Sequence, residues 1–175
     1  FEPEVVLAII LDSIPPEERA PFAENWQTSV SHRVQKWKQS RPPHACMEAQ
    51  LLWEAHVVEY VIYGYNITKL HGNAKKGSLP PTLPPTIPNF GPRFVPPSYA
   101  QLLKRDKKAR IKPEVAYVRP LNVVHPFYYD GLKKCPQCDS VDVLWDSWTN
   151  TGHRDLHGIR AEESAIGYQL RCKVC

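Results

Sequence analysis

Two Cys-x-x-Cys pairs near the end of the sequence constrain the fold more strongly than any other feature of the chain. Cys135 pairs with Cys138, and Cys172 pairs with Cys175. Two residues between cysteines let one tight turn direct both sulfurs at a single ion, and backbone amides of such a turn can donate to the sulfurs. Pro136 favours the first turn because its φ angle is fixed. Four thiolates complete a tetrahedron and leave no position for water, so the spacing predicts one structural zinc ion.

Three other uses of paired cysteines fit the sequence less well. A thioredoxin-like redox motif is a single Cys-x-x-Cys in a βαβ context, whereas here two motifs flank a stretch typical of strands. Structural disulfides need an oxidising compartment, and the acidic residues 1–4 are unlike a secretory signal. Iron is compatible with four thiolates, so it stays open beside zinc. A fifth cysteine, Cys46, belongs to neither pair, and the pattern as a whole predicts a reducing, intracellular compartment.

The residues between the two pairs are typical of an antiparallel zinc ribbon. Apolar residues alternate within 141–145 and again within 166–170, a turn sequence lies at 149–152, and 153–160 fits a strand between them. A three-stranded ribbon of this size has little core of its own, so metal binding should supply much of its folding free energy. Asp139 follows the first pair where many ribbons have glycine, and aspartate tolerates the left-handed backbone conformation expected there.

Several ribbon side chains have two possible roles. The cations beside the ligands can either offset the negative charge of a four-thiolate zinc site or contact phosphate. On the strand expected at 153–160, two histidines and an aspartate share one face. That face is either a metal or acid–base cluster or, as we expect, a solvent-exposed face. Aromatic residues of the ribbon can stack on bases but are expected in its core. The cations are Lys133, Lys134, Arg171 and Lys173, the residues of the shared strand face are His153, Asp155 and His157, and the aromatic residues are Trp145, Trp148 and Tyr168.

In the first third of the chain, the spacing of apolar residues predicts two helices that pack on each other. Proline and acidic residues at 15–18 favour a helix start, and Arg-Pro-Pro at 41–43 ends that helix. A second helix is expected over about 47–63, with apolar residues on one side and acidic residues facing water. The apolar positions are Phe22, Trp26, Val30, Val34 and Trp37, then Leu51, Ala55, Val58 and Ile62 with Leu52 and Trp53 beside them; the acidic ones are Glu48, Glu54 and Glu59.

A proline-rich segment follows the helices. The chain contains 18 prolines, and the sequence Leu-Pro-Pro-Thr at 79–82 recurs in near copy at 83–86. Such a segment favours extended polyproline-II structure. We expect a spacer here, with docking into an aromatic groove of another protein as the alternative.

Positive charge is concentrated in one short run. Residues 104–112 carry six positive charges and one negative charge in a chain whose net charge is +4, so the rest of the chain is close to neutral. The run is predicted to contact the phosphates of DNA or RNA, and a solvated helix end or a nuclear-import signal is the alternative. Its cationic residues are Lys104, Arg105, Lys107, Lys108, Arg110 and Lys112.

The stretch 115–129 is expected to be extended and to lead the chain along the ribbon to the first cysteine turn. Pro120 and Pro126 cannot donate to a strand ladder, so no central strand is expected there. The apolar run at 5–11 is too short to cross a bilayer, and no membrane partner is expected. Because the 175 residues end on a predicted metal ligand, we expect the sequence to be an excerpt of a larger protein, with the ribbon truncated.

The C-terminal part resembles a zinc-ribbon-like domain of unknown function from mushroom-forming fungi. The resemblance rests on HPFYY at 125–129, CPQC at 135–138, WT at 148–149, GHRDLHG at 152–158 and GYQLRC at 167–172. It covers roughly residues 113–175, and the helical segment only loosely. The domain occurs in large multicopy proteins that look derived from transposable elements. The resemblance implies a nuclear, nucleic-acid-associated protein in which the four cysteines bind zinc.

The expected fold is α+β, with a helical segment over 1–74, a proline-rich linker and basic run over 75–112, and an antiparallel β zinc ribbon over 113–175. The expected function is that of a non-catalytic, zinc-stabilised nucleic-acid-binding module. The alternative is a scaffolding module that docks a protein through the proline-rich segment. The sequence contains no phosphate loop, nucleophile motif or open metal site, so neither an enzyme nor a small-molecule substrate is expected.

Overall fold

Three helices precede a five-stranded mixed sheet in the structure, a computed structural model that describes residues 1–42, 47–71, 83–96 and 118–175. The α+β class predicted from the sequence is therefore confirmed. The helices are α1 (Pro3–Ser13), α2 (Pro16–Gln39) and α3 (Glu48–His71), and the strands are β1 (Arg93–Phe94), β2 (Leu121–Val124), β3 (Val143–Trp148), β4 (Arg154–His157) and β5 (Glu162–Cys172).

Helix α3 lies at the centre of the core. Between Leu51 and Val61 most of its apolar side chains are buried, including Ala55, Val57 and Tyr60. A helix that is apolar around most of its circumference has to be covered on several sides, and α1, α2 and Phe94 of β1 supply this cover. Helix α3 extends beyond the predicted end at about residue 63, and in this extension the ring of Tyr65 packs edge-on against His125 and Phe127.

Helix α2 confirms the prediction closely. It begins at Pro16 with two glutamates in its first turn and ends at Gln39, before the Arg-Pro-Pro sequence. Trp26, Val30, Val34 and Trp37 are buried on one face, as the three- and four-residue spacing predicts.

Helix α1 is additional to the two helices predicted from the sequence. The apolar run at 5–11 is too short to cross a bilayer, and it folds as a helix whose Val6 and Ile10, one turn apart, are buried in the core shared with the other helices. No helix in the described part of the chain is long and apolar enough to cross a bilayer.

Strand β5 organises the sheet. Its first half lies between β2, to which it is parallel, and β4, to which it is antiparallel. Its second half pairs with β3 in antiparallel register, with Val143 opposite Cys172 and Trp148 opposite Tyr168. The order of strands is β1-β2-β5-β3, with β4 beside β5. Strands β3, β4 and β5 overlap the three stretches that the sequence predicts as strands, but the sheet is mixed rather than antiparallel because β2 is parallel to β5.

The prediction that prolines exclude a central strand within 115–129 is wrong. Strand β2 pairs with β1 on one side and with β5 on the other. It is only four residues long, Leu121–Val124, so Pro120 and Pro126 lie outside the ladder and remove none of its N–H donors. Leu121 and Val123 are completely buried, which gives this short strand its place in the interior.

The described end of the proline-rich segment packs into the core. Ile87 and Phe94 are 3% and 1% exposed, the hydroxyl of Tyr60 donates to the carbonyl oxygen of Pro88, and the hydroxyl of Tyr128 donates to that of Phe90 at 2.7 Å. Residues 83–96 are thus a strap over α3 and the sheet, while residues 72–82 lie outside the described part of the chain.

The ribbon shares its core with the helices. Trp148 and Ile166 of the ribbon belong to the same buried cluster as Val30 and Trp37 of α2. Because the ribbon is expected to have little core of its own, strand β5 depends on packing partners in the rest of the chain.

Gly152 fits closely under Trp37, and substitution there should be costly. Its φ angle is +77°, and an added Cβ would lie 3.0 Å from Cγ and Cδ2 of the indole. We expect Gly152→Ala to lower the free energy of unfolding by about 1–3 kcal/mol, measured by urea denaturation. Gly131→Ala is the control because nothing lies within 4 Å of its added Cβ. Equal effects of the two substitutions would contradict this account.

Candidate metal centre

The four paired cysteines converge at one end of the antiparallel pair of strands β3 and β5. The Sγ atoms of Cys135, Cys138, Cys172 and Cys175 all lie within 4.8 Å of one another. Two of the separations, Cys135 to Cys175 and Cys138 to Cys172, are 3.6 Å. All four cysteines are free thiols rather than disulfides. The prediction that both pairs meet at one point is confirmed, and the four sulfurs could hold one metal ion.

The first cysteine turn is built by its own backbone. The N–H of Gln137 lies 3.4 Å from Sγ of Cys135 and donates to it. The N–H of Asp139 donates to the carbonyl oxygen of Cys135 at 2.9 Å, which closes the turn. Asp139 has a φ angle of +54°, the left-handed conformation expected from the sequence. A short 3-10 helix, Asp130–Lys133, leads the chain into this turn.

The second turn repeats this arrangement at the end of β5. The N–H of Val174 donates to Sγ of Cys172 at 3.3 Å. The N–H of Lys173 donates to the carbonyl oxygen of Asp142 at 3.1 Å, which ties this turn to the start of β3. Both turns therefore aim a backbone donor at their first sulfur, as the Cys-x-x-Cys spacing predicts.

The surroundings of the thiols give them unequal acidity. The backbone N–H groups of Cys175 and Val174 lower the pKa of Cys172 to about 6. The neighbouring thiols, Cys135 first, raise the pKa of Cys175 to about 12. Four thiolates so close together repel one another, and a bound dication offsets that repulsion. The cluster is thus arranged to bind a cation and to release protons as it does so.

Two of the four cations beside the ligands pair with carboxylates of the ribbon. Arg171 pairs with Asp146, and Lys173 pairs with Asp142 at 3.1 Å. Both pairs are exposed, so each contributes little to stability. Lys133 and Lys134 are also exposed, just before the first turn. Arg171 and Lys173 are thus partly neutralised by protein groups, which favours a structural role for them over phosphate contact.

His153 does not face solvent, which corrects the expectation for this face of the strand. Its side chain is 2% exposed, and Nδ1 contacts Oε2 of Glu54, whose side chain is fully buried. Nη1 of Arg41 lies 2.9 Å from Nε2. Because a guanidinium only donates, Nε2 accepts and the proton on Nδ1 is donated to Glu54. Asp155 and His157 of the same face are exposed, and Asp155 lies 3.4 Å from Nε2.

Glu54 belongs to a buried polar network that joins the helices to the ribbon. Nε2 of Gln50 donates to Oε1 of Glu54 at 2.6 Å. Oε1 of Gln50 accepts from the backbone N–H of Arg119 at 2.7 Å, and Nε2 lies 3.3 Å from the Arg119 carbonyl oxygen. The expectation that Glu54 faces water is wrong. The signal was available, since Glu54 follows Leu51 by three residues and precedes Val58 by four, on the apolar face.

The ribbon aromatics surround a buried histidine. The ring of Trp148 stacks on His125, with centroids 5.2 Å apart and an angle of 18° between the planes. Tyr168 meets both rings edge-on, and Trp145 lies tilted against Tyr168 at 5.9 Å. Trp148 is 8% exposed, which confirms the expectation of a core residue.

Other predicted site residues lie outside the described part of the chain. These are the whole basic run, Lys104, Arg105, Lys107, Lys108, Arg110 and Lys112, and the unpaired Cys46. Within the described residues, the four cysteines are the one cluster of histidine, cysteine or acidic side chains with the spacing of a metal site.

Comparisons of the chain with models of protein families, with characterised proteins and with solved structures give no match. The interpretation of the site therefore rests on its own geometry. The four cysteines form a cluster that could bind a metal ion, at the end of the antiparallel β3–β5 pair of an α+β fold.

Proposed function

We propose that this chain is a zinc-stabilised nucleic-acid-binding module of a nuclear, mobile-element-type protein, and that it has no catalytic role of its own. The observation that carries the proposal is the cluster of four sulfurs within 4.8 Å of one another, with a backbone donor at each turn. Zinc favours tetrahedral coordination by four thiolates, and such a site has no open position for a substrate. Its role is therefore structural, and the metal holds β3 and β5 together.

The proposed partner follows from the distribution of charge. Residues 118–175 carry seven positive and seven negative charges, so the described ribbon is neutral as a whole. The run at 104–112 carries a net charge of +5, more than the +4 of the whole chain, and lies immediately before the segment that enters β2. A concentrated run of lysine and arginine attracts the phosphate backbone of DNA or RNA through counterion release.

A catalytic role for the buried histidine is disfavoured by its surroundings. The side chains of His153 and Glu54 are 2% and 0% exposed, and each ring nitrogen of His153 already contacts a protein group. A general base has to come within hydrogen-bond reach of its substrate. The pair therefore fits a structural link between the helices and the ribbon.

The salt dependence of binding tests the proposed partner. We expect the zinc-loaded chain to bind labelled DNA or RNA with a log–log salt slope that corresponds to about four to six phosphate contacts. Replacing the six cations of 104–112 with glutamine should remove most of that slope. The control replaces Lys133 and Lys134, which are exposed but outside the run. Absence of binding to any nucleic acid near physiological salt would refute the proposal for this chain.

A scaffolding function through the proline-rich segment is less well supported. Ile87 and Phe94 of this segment are buried against the protein's own core, so residues 83–96 are already occupied by an internal partner. Exposed apolar side chains at the ribbon end, Val141 at 73% and Val174 at 66%, are the feature that favours a protein partner. A search for bound proteins becomes the next experiment if nucleic-acid binding is absent.

A further inference from the structure

A cleft of about 390 Å³ lies where α2, α3 and strand β3 meet. Its volume is in the range of small-molecule sites, and such sites favour junctions between elements. The aromatic residues of its lining include Tyr65, Trp148 and Tyr168 and are called the aromatic wall, and Arg33 and Lys36 of α2 also line the cleft. Neither the metal cluster nor the buried link at Glu54 contributes to it.

The cations of the cleft are incompletely satisfied by the protein. Nζ of Lys36 donates to Oδ1 of Asn150 at 2.9 Å, a neutral partner, and among the described residues no carboxylate pairs with this lysine. Arg33 pairs with Glu59 through Nη2 at 2.9 Å, but its buried Nε has no hydrogen-bond partner within the described part of the chain. The acidic residue of the lining, Asp146, is paired with Arg171. The cleft therefore favours an anionic group.

The aromatic wall favours a flat ring beside that anion. Tyr168 is half-buried: His125 and Trp148 meet its ring edge-on, and Trp145 lies tilted against it with centroids 5.9 Å apart, so the protein's own rings cover it only in part. Stacking of a base on an aromatic side chain contributes about 1–3 kcal/mol to binding. A planar base that carries a phosphate can stack on the aromatic wall while its phosphate contacts the cations of the cleft.

We propose that this cleft binds one unpaired nucleotide, with the base against the aromatic wall and the phosphate at Lys36. A base within a duplex is stacked and paired, so it cannot enter the cleft without being extruded. The nucleotide can belong to a single strand or be free in solution, since both present the same chemistry. In the first case the inference rests on the proposed nucleic-acid-binding function and makes single strands its preferred substrate.

The test uses fluorescence anisotropy of the zinc-loaded full chain with a labelled single-stranded oligothymidylate and an abasic strand of the same length. The two probes carry the same phosphates, and only the first carries bases. We expect the oligothymidylate to bind roughly tenfold more tightly. Equal affinities of the two strands would overturn the inference while leaving the nucleic-acid proposal intact.

A matched pair of variants locates the binding. Lys36→Gln removes the cation of the cleft, whereas Lys38→Gln removes a cation of the same helix that pairs with Glu48 at 2.7 Å outside the cleft. We expect roughly tenfold weaker binding of the oligothymidylate by the first variant and a change of less than about twofold by the second. Equal effects of the two variants would overturn the assignment to the cleft.

Thymidine monophosphate, competed against the labelled strand and titrated alone, distinguishes the two sources of the nucleotide. A single-stranded substrate is supported if the strand binds, if the mononucleotide displaces it, and if Lys36→Gln weakens its binding. Binding of the mononucleotide but not of the strand, weakened by Lys36→Gln, supports the cleft as a free-nucleotide site, and the nucleic-acid proposal then depends on the salt-dependence test with DNA and RNA. No binding of either probe would overturn the cleft inference and leave the nucleic-acid proposal to that same test.

Discussion

Removal of the proposed zinc ion is expected to unfold the sheet together with part of the helical core. Zinc binding to a four-thiolate site in small domains corresponds to about 10–16 kcal/mol of apparent free energy, which is available only when the fold brings the ligands together. Here the ligands lie at the ends of β3 and β5, and β5 continues from Cys172 into the centre of the sheet, where Ile166 belongs to the core shared with the helices. Loss of the metal should therefore reach beyond the ribbon.

The measurement is thermal unfolding followed by circular dichroism, with metal content determined in the same samples. Cys138→Ser should bind less than one equivalent of zinc and unfold at a much lower temperature, and a chelator should have the same effect on the unchanged chain. Cys46→Ser is the control, since Cys46 belongs to neither pair. A chelator-resistant midpoint in a metal-free sample would contradict the structural role of the site.

The identity of the metal has its own readout. Zinc is spectroscopically silent, iron in four thiolates absorbs visible light, and cobalt that replaces zinc should show the visible bands typical of tetrahedral thiolate coordination. An iron spectrum in the chain as purified would leave the geometry of the site unchanged but would correct the choice of metal.

The parts of the structure that could be predicted from the sequence depend on local spacing. The four cysteine ligands, the left-handed Asp139 and the apolar face of α2 all follow from residues close together in the chain, because turn geometry and helical periodicity are local properties. Strand β5 was predictable for the same reason, since Ile166 and Tyr168 alternate with less buried neighbours.

The parts that were mispredicted depend on contacts between residues far apart in the chain. Whether Glu54 faces water is decided by His153, which lies 99 residues away. Strand β2 is only four residues long and exists because β1 and β5 offer ladders on both sides. Ile87 is buried because α3 and the sheet leave a groove that the proline-rich segment covers. Local patterns contain no information about these partners.

Glu54→Ala is expected to destabilise the protein more than any other single substitution of a helix residue outside the apolar core. Removal of the carboxylate leaves Nε2 of Gln50 and Nδ1 of His153 buried without an acceptor from this side chain. Each buried donor left without an acceptor costs about 1–3 kcal/mol, so the two together cost about 2–6 kcal/mol. Glu48→Ala is the matched control on the same helix, because the ion pair of Glu48 with Lys38 is exposed and contributes about 0–1 kcal/mol.

Glu54→Gln separates hydrogen bonding from packing, since it keeps the shape of the side chain. If its amide oxygen accepts from His153, its amide nitrogen faces Nε2 of Gln50, and two donors then oppose each other. Gln50 cannot rotate its amide to relieve this, because Oε1 accepts from the backbone N–H of Arg119 at 2.7 Å. We therefore expect Glu54→Gln to cost about 1–3 kcal/mol by urea denaturation, between Glu48→Ala and Glu54→Ala. A Glu54→Gln protein as stable as the unchanged chain would show that the network does not hold the ribbon to the helices.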